Sequence, residues 1–360
     1  MTALKKTVGK ISRVDSVALD PALRSTGVAS GRQPIVAFDN GDSYVLDESH
    51  PQSGVWGSIL NELKAAHEPA YVEADPATNA ITRLLLPRVL RVERISNSSD
   101  GLSLEFLFEG SHARHLLPHS HPEFQEIERT LRDANSRGAA VLVTDASDRA
   151  EIVDARLVPV PFAEPSATGA TGASPLVLAP AMVSPAQAQQ LFALVAEVTC
   201  APKSIADPCI PFLYPDDGCW ARAHEMCRLM LVSGLLAPGQ APRKVWLDGQ
   251  LTVQTRNSPS CSVPWGWHVA PTLGVGGGLL VIDPSLFDEP VAFDRWKGLQ
   301  GDDSAKGTET DGSVYNRNRD HTRYFYDPDY RMTRQDLGYF RRQLQIRVSG
   351  YGAPPYANCP

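Results

Sequence analysis

The residues around Cys219 have the types and spacing of a thiol nucleophile. Cys219 directly follows Asp217-Gly218 at the start of a predicted helix, where free N–H groups and the positive end of the helix dipole stabilise a thiolate. Its own backbone N–H could donate to a developing oxyanion, and Gly218 would let a substrate approach closely. We therefore predict that Cys219 attacks a carbonyl carbon, and that Cys227 in the same helix is a core residue.

An imidazole and a carboxylate can be brought together by strand pairing. Residues 266–273 and 279–283 read as two strands around a glycine-rich turn. A hairpin folded about residues 275–276 puts His268 opposite Asp283, and directly opposed side chains point to the same face. A carboxylate placed there would fix the tautomer of an acid–base histidine. Together with the thiol, these residues supply a candidate Cys–His–Asp triad, which can attack an amide carbon.

Three tryptophans are candidates for lining a cleft around this triad. Trp220 follows the cysteine, and Trp265 and Trp267 precede the histidine on its strand. Large aromatic side chains could hold a substrate side chain, although a core position is the alternative for each of them. His224 lies more than one helical turn beyond Cys219, so we interpret it as structural rather than as the base.

A group of histidines in the first half of the chain is a weaker candidate site. Metal binding would need at least three of them to converge, with partners that orient the rings. Two prolines interrupt any helix that would align them. We predict a solvated loop without a function, and no metal site, for His112, His115, His119 and His121.

The chain is expected to form two domains that position these residues. Its length of 360 residues favours two domains, and a run of small residues with proline and glycine over 163–176 predicts a mobile linker. We expect an accessory N-terminal domain over 1–162 and a catalytic domain over 177–360. The first contains several short strand-like runs and helices near 55–66 and 122–136, which indicates a small α+β or barrel-like domain.

The second domain begins with a helix capped by Ser184, with a proline in its first turn. A second helix runs from Cys219 to about Ser233. From Lys244 onward the pattern predicts strands, interrupted by a polar stretch over 298–322. The second helix has one apolar stripe, which we expect to be buried and which contains Ala223, Met226, Cys227, Met230 and Leu231.

Composition excludes several kinds of partner. The formal net charge is −7, and no cluster of lysine and arginine is large enough to suggest nucleic acid. No apolar run approaches the roughly 18 residues of a membrane span. The N-terminal lysines are not followed by the apolar segment of a secretory signal. We therefore expect neither nucleic acid nor membrane as a partner, and either a cytoplasmic location or export by a different route.

All six cysteines lie in the second half of the chain. None forms a Cys-x-x-Cys pair, so a structural zinc site is not predicted. Cys200 and Cys209 bracket a short loop and could be bridged, which would require an oxidising compartment. Bridged and free forms both remain open at this point.

Four motifs together resemble those of a known family, the bacterial protein-glutamine glutaminases, or protein deamidases. The motifs are Tyr214-Pro-x-Asp-Gly-Cys219-x-Ala-Arg-x-His224, Trp265-x-x-His268-Val-Ala, Ile282-Asp-Pro-Ser-Leu-Phe287 and Val314-Tyr-x-Arg. Their order and spacing agree over about residues 184–360. The resemblance implies an α+β fold with a papain-like or transglutaminase-like core, in which the cysteine-bearing helix packs on an antiparallel sheet.

The resemblance also implies a role for each triad residue. Carried over by position, Cys219 is the nucleophile, His268 the acid and base, and Asp283 the orienting carboxylate. The implied reaction is hydrolysis of the side-chain amide of protein-bound glutamine through a cysteine thioester, without a cofactor. Partners would be proteins or peptides with accessible glutamine. Family members resemble secreted proenzymes, whereas residues 1–163 are not recognisable as their pro-region.

The triad alone leaves other functions open. An amine acceptor in place of water would make the protein a transglutaminase, and a backbone target would make it a papain-like protease. A non-catalytic binding protein could also retain the fold. The predicted linker would allow the N-terminal domain to dock on the cleft in cis and lower the activity of the full chain.

Overall fold

The computed structural model describes residues 4–15, 33–158, 178–201 and 209–359. The predicted linker over 163–176 lies outside these residues. The described parts combine antiparallel sheets with helices packed on them, so the predicted α+β fold class is confirmed. No helix among them is both long and apolar enough to cross a bilayer.

The described residues of the N-terminal region (4–15 and 33–158) form two units with the same topology. Each has three strands, a helix and two further strands, arranged as one five-stranded antiparallel sheet. The first contains β1 (Lys5–Val14), β2 (Ile35–Phe38), β3 (Ser43–Val45), α1 (Ser53–Ala66), β4 (Pro69–Ala74) and β5 (Ile81–Leu85). The second contains β6 (Pro87–Asn97), β7 (Ser103–Phe108), β8 (His115–Pro118), α2 (Phe124–Arg137), β9 (Ala140–Asp145) and β10 (Ile152–Leu157).

Each of these sheets is curved, so that its two edge strands come into contact. The order is β3-β2-β1-β4-β5 in the first unit and β8-β7-β6-β9-β10 in the second. One isolated bridge joins Val45 to Ala80, and another joins Leu116 to Glu151, next to the two edge strands of each unit. The N-terminal region therefore has α+β composition, and its sheets are barrel-like. The duplication itself was not detected in the sequence.

The C-terminal region (residues 178–359) is built around a second type of sheet, with strand order β16-β15-β14-β13-β17. Helix α4 packs on β14, and α3 and α6 pack on α4. The helices are α3 (Pro185–Ala196), α4 (Cys219–Val232), α5 (Phe293–Gly298) and α6 (Arg331–Tyr351). The strands are β11 (Ala179–Pro180), β12 (Gln240–Ala241), β13 (Arg243–Gln254), β14 (Ser262–Val275), β15 (Gly278–Val281), β16 (Val291–Ala292), β17 (Lys306–Asp311), β18 (Val314–Arg317) and β19 (Tyr324–Tyr326).

The first residue of α4 is Cys219, and a glycine is required just before it. Gly218 has φ of 86°, a left-handed conformation that favours glycine. A Cβ atom there would lie 2.3 Å from Cδ2 of Phe340 on α6. The close approach seen here is to a packed ring of the same chain, and a role of Gly218 in making room for substrate stays a prediction. The apolar stripe predicted for α4 is buried at Cys227 but not at its last member, Leu231, which is 40% exposed.

Helix α6 contradicts the prediction that only strands follow Lys244. Its buried positions Leu337, Phe340 and Leu344 recur every three or four residues, which is helical spacing. Tyr339 Oη donates to the carbonyl oxygen of Leu86 at 2.9 Å, which ties the helix to the N-terminal region. Arg341 and Arg342 pair there with Glu62 and Glu68 of the first unit.

Two disulfides lie within the C-terminal region. One joins Cys200 to Cys209, the pair suggested by the sequence, and the other joins Cys261 to Cys359. The second was not anticipated, because its cysteines are 98 residues apart. It fixes the end of the chain beside the turn that precedes β14, where Tyr356 N–H donates to the carbonyl oxygen of Arg256 at 2.7 Å.

We expect the Cys261→Ser/Cys359→Ser double variant to be less stable by about 2–4 kcal/mol, because the crosslink closes a long loop and restricts the unfolded chain. Urea unfolding monitored by tryptophan fluorescence would measure this difference. Wild type measured under identical oxidising conditions is the reference, since it keeps both bonds. An unchanged midpoint would contradict the expected contribution.

Candidate active site

The side chains of His268 and Asp283 are in contact, as predicted from a hairpin, although the two strands pair in a different register. The hairpin pairs Thr272 with Val281 and turns at residues 276–277, so the predicted register is two residues off. A two-residue shift keeps every side chain on its face. His268 Nε2 lies 2.8 Å from Asp283 Oδ2, and both side chains are buried.

Trp296 completes the surroundings of the carboxylate, and sequence reasoning missed it. Its indole Nε1–H donates to Asp283 Oδ2 at 2.9 Å, and its ring stacks on His268 with centroids 5.5 Å apart. The backbone N–H of Ser285 donates to the other carboxylate oxygen at 3.2 Å. The acid is therefore fixed on both oxygens, and the histidine is fixed by the acid.

We expect Trp296→Phe to lower kcat by roughly 10–100-fold, because it removes a donor worth about 1–3 kcal/mol to a buried carboxylate. Trp246→Phe is the matched control, since its indole donates to Thr310 Oγ1 at 2.8 Å and not to the candidate triad. Steady-state kinetics of the two variants would give both values. Equal losses in the two variants would mean that the donor to Asp283 is not specifically important.

Cys219 lies close to the imidazole of His268. Potential ligand atoms of Cys219, His268 and His112 all lie within 4.8 Å of one another. Nε2 of His268 is used by Asp283, whereas Nδ1 has no hydrogen-bond partner among the described residues. That nitrogen has no other partner, as a general base acting on the thiol would require, but no hydrogen bond joins it to Cys219 among the described residues.

The ionisation of these groups is set mainly by burial. Burial raises the pKa of the Cys219 thiol well above its ordinary value, against the effects of Arg222 and the Val269 backbone. Burial also lowers the pKa of His268, although Asp283 opposes this. The pKa of Asp283 is lowered by His268 and Trp296 despite its burial. In this conformation the thiol and the imidazole are thus neutral, contrary to the thiolate expected at a helix start.

The cause of this burial is a segment of the N-terminal region. Residues 111–114, which connect β7 to β8, pair with β14: Gly266 N–H donates to the carbonyl oxygen of His112 at 2.8 Å, and Arg114 N–H donates to that of Pro264 at 3.1 Å. Ala113 forms an antiparallel bridge with Trp265. The segment therefore forms a short antiparallel bridge with β14.

The side chain of His112 enters the site itself. It is fully buried and stacks on Trp265, with ring centroids 5.0 Å apart and an interplanar angle of 20°. Its ring lies 5.6 Å from those of Trp267 and His268. Burial, together with His268 and Arg222, holds the pKa of His112 well below its usual range, so the ring is neutral.

The prediction of a solvated histidine loop is therefore wrong for part of the group. His112 and His115 are buried, and Nδ1 of His115 lies 2.9 Å from Asp145 Oδ2. His119 is exposed, in agreement with the prediction, and His121 is half-buried. The error arose because burial of this loop depends on contacts with residues about 150 positions away, which local sequence does not reveal.

The three predicted cleft tryptophans surround the space that His112 occupies. Trp265 and Trp267 contact its ring directly, and Trp220 lies edge-on at 6.2 Å. Trp220 is held by its indole N–H, which donates to Asp336 Oδ2 at 2.8 Å. The aromatic side chains thus form a buried box of about the size of one planar side chain, next to the sulfur.

Asp217 connects the two regions immediately before helix α4. Its carboxylate accepts hydrogen bonds from Arg88 Nη1 at 2.8 Å, Ser111 Oγ at 2.7 Å and the His112 backbone N–H at 3.1 Å. It also accepts from the N–H of Gly218 at 3.0 Å. Three donors from the N-terminal region therefore converge on one carboxylate, two residues before Cys219.

The loop before Cys219 is also held from within the C-terminal region. Arg222, fully buried one turn into α4, donates to the carbonyl oxygens of Tyr214 and Asp217 at 3.0 and 2.6 Å. Arg347 of α6 donates to Asp216 Oδ2 at 2.6 Å. These contacts fix the main chain that presents the thiol, and Arg347 Nε also donates to the carbonyl oxygen of Ser147 in the N-terminal region at 2.7 Å.

Comparison with known proteins gives consistent results. A family model described as glutaminase matches residues 188–300. The crystal structure of pro-protein-glutaminase is 25% identical, covers 77% of this chain and 99% of that chain, and has a TM-score of 0.55. A mutant of pro-protein-glutaminase is 24% identical with the same coverage and a TM-score of 0.53. The NMR structure of protein-glutaminase from Chryseobacterium proteolyticum is 30% identical over 51% of this chain and all of that chain, with a TM-score of 0.40. No curated protein matches the chain.

The match to pro-protein-glutaminase extends further than the sequence motifs do. Residues 177–360 make up only about half of the chain, so an alignment that covers 77% of it includes part of the N-terminal region. The sequence had shown no likeness there. The glutaminase model and the 25% identical structure both indicate an amidohydrolase. The chain belongs to the protein-glutaminase family.

Proposed function

We propose that this protein hydrolyses the side-chain amide of protein-bound glutamine, giving glutamate and ammonia through a thioester on Cys219. We further propose that the N-terminal region covers the site and keeps the full chain at low activity. The single observation that carries the proposal is the position of residues 111–114 on β14, with the side chain of His112 beside the thiol.

This segment suggests how a substrate polypeptide binds. Main-chain pairing with Pro264 and Gly266 recognises an extended backbone independently of its sequence, a common mode of peptide recognition. The carbonyl oxygen of His112 is used by Gly266, so the main chain is turned away from the nucleophile, and only the side chain reaches Cys219. In a protease, the scissile main-chain carbonyl of the substrate would instead face the sulfur. The geometry therefore favours chemistry on a side-chain amide.

In the proposed reaction, Nδ1 of His268 takes the proton of Cys219, and the sulfur attacks the carboxamide carbon of glutamine. The backbone N–H of Cys219, free at the first position of α4, can donate to the oxyanion. His268 returns the proton to the amide nitrogen, so that ammonia leaves and a thioester remains. Water, deprotonated by His268, then attacks the thioester carbon, releasing glutamate and restoring the thiol. Asp283 keeps the imidazole oriented throughout.

The proposed covering function rests on desolvation and on occupied space. With His112 seated, the aromatic box is filled and Cys219 is 1% exposed. Burial also raises the pKa of the thiol, so the covered state leaves no room for an external substrate and disfavours the thiolate. Removing the segment would restore solvent and the stabilising effect of the helix start on the thiolate.

The proposed reaction can be tested with chain that has been cleaved between residues 158 and 178. A glutamine-containing protein is incubated with it, with and without a primary amine, and ammonia and intact mass are measured. Deamidation predicts one ammonia and a gain of about 1 Da per event with an intact chain. Incorporation of the amine would instead identify a transglutaminase, and shortened chains would identify a protease.

We expect the full chain carrying His112→Gln to hydrolyse the amide introduced at position 112, because the side chain at this position faces Cys219. Peptide mass spectrometry should find a gain of about 1 Da at this position. The same substitution combined with Cys219→Ala should leave the amide intact, and His119→Gln should also remain unchanged because His119 is exposed. An unmodified amide at position 112 in an otherwise active protein would contradict the proposed orientation.

A further inference from the structure

We propose that the covered site binds one zinc ion through His112, Cys219 and His268, and that this ion locks the N-terminal region over the catalytic residues. The three side chains come from the β7–β8 connection, from the first turn of α4 and from β14. Zinc would thus bridge the two regions. Binding of the ion would not require turnover.

The donor set and its spacing fit zinc. Two imidazoles and one thiolate are ligands that Zn²⁺ prefers, with bonds of about 2.0–2.3 Å and edges between ligand atoms of roughly 3.3–3.6 Å. The potential ligand atoms lie within 4.8 Å of one another. A contraction of up to roughly 1.5 Å, within the reach of side-chain rotations, would therefore close a site with three protein ligands. A water molecule would supply the fourth ligand.

The polar atoms of this cluster are otherwise poorly satisfied. Neither ring nitrogen of His112 makes a hydrogen bond of normal geometry to a described residue, and neither does Nδ1 of His268. All three nitrogens are buried, and buried polar atoms without partners are uncommon in native proteins. Stacking on Trp265 orients the ring of His112 but does not compensate for its lost hydration. A bound cation would do so for one nitrogen of each ring.

Each of the two imidazoles has a carboxylate near one of its ring nitrogens, as at many metal sites. Asp283 Oδ2 lies 2.8 Å from Nε2 of His268, which leaves Nδ1 to face the cluster. Asp217 Oδ1 lies 3.5 Å from Nε2 of His112. Such carboxylates orient the rings and increase their basicity as ligands. They also offset the net positive charge of a zinc–thiolate centre. The nearby guanidinium of Arg222 has the opposite effect, because it adds positive charge.

Binding would displace the thiol proton of Cys219 to solvent, while both histidines bind as neutral rings. No oxidation or other covalent change is involved. Because His112 belongs to the cover, the full set of ligands exists only in the covered state. Zinc would therefore stabilise that state over the uncovered one and would protect the thiol from oxidation until the cover is released.

Cobalt(II) titration of the full-length protein, freed of metal by a chelator, tests the proposal directly. Co²⁺ bound to a thiolate absorbs in the near ultraviolet, so the band reports Cys219 without any assay of activity. We expect one equivalent to bind to wild type and to the control His119→Ala with the same affinity. Cys219→Ser should lose the band, and His112→Ala should bind at least 10-fold more weakly.

A rescue variant separates coordination from mere contact. His112→Cys, handled without oxygen, supplies another zinc ligand but not a stacking ring, so we expect it to restore cobalt binding with a stronger thiolate band. Zinc should likewise raise the Tm of wild type and His119→Ala, but not that of His112→Ala. Absence of a thiolate band in wild type, or equal affinity in wild type and His112→Ala, would overturn the proposal. Neither result would bear on the deamidation assay, which uses cleaved protein.

Discussion

Replacing Cys219 by alanine is expected to abolish amide hydrolysis by the cleaved protein, with kcat falling by at least about 10⁴-fold. Loss of a nucleophile that works with an adjacent base removes the covalent route altogether, and losses of about 10⁴–10⁶-fold are typical for such units. Ammonia release under saturating substrate would measure the change. Because Cys219 is fully buried in the covered state, the comparison must be made after the N-terminal region has been removed.

Cys227 provides a matched control for this substitution. It is the other free cysteine, it lies on the same helix, and it is equally buried. Cys227→Ala removes a sulfur from the core without touching His268, so we expect a loss of stability but a nearly unchanged kcat. If Cys219→Ala kept more than a few per cent of wild-type kcat while remaining folded, the thioester route would have to be abandoned.

Replacing Arg88 by methionine is expected to activate the uncleaved protein by about 10²-fold. Arg88 comes from the N-terminal region, and its side chain is only 18% exposed where it pairs with Asp217, itself 8% exposed. Removing one partner of a buried ion pair costs about 3–5 kcal/mol, because the other charge stays desolvated. Ser111 and the His112 backbone still donate to Asp217, so we expect the lower end of that range. The uncovered population, and with it the activity, rises by the corresponding factor.

Arg91→Met tests whether this effect is specific. Arg91 lies on the same strand, but its guanidinium donates to the carbonyl oxygen of Gly138 within the N-terminal region. We expect the full-length Arg91 variant to have the low activity of wild type, and the Arg88 variant to approach the activity of cleaved protein. If cleaved Arg88→Met and cleaved wild type differed, the substitution would be acting on catalysis. Equal, low activity of both full-length variants would mean that this ion pair does not hold the cover.

The parts of the fold that were predictable are those with strong local signals. Ser184 and Gln187 form a capping box at the start of α3, and the first residue of α4 is Cys219, as the apolar stripe indicated. His268 and Asp283 could be paired despite an error in register, because strand parity survives a shift of two residues. Helix α6 carried a similar periodic signal, but its many arginines concealed it.

The remaining parts depend on tertiary contacts that a single sequence does not encode locally. Trp296 reaches Asp283 from a short helix after a loop, and nothing in its spacing marks it as a partner. His112 lies in an ordinary polar loop of a different region, yet its ring nitrogens lie beside the candidate nucleophile and base. The likeness of the N-terminal region to part of a proenzyme likewise became visible only in three dimensions.

The placement of the disulfides determines whether the two regions can separate after the chain is cut between them. Every cysteine of the chain lies at or after residue 200, and both crosslinks join residues of the C-terminal region to each other. A single cut between residues 158 and 178 would therefore leave no covalent tether between the two pieces. Once untied, the N-terminal piece loses the high effective concentration that a shared chain provides. Dilution would then make the release irreversible, so that one cleavage would act as a one-way trigger.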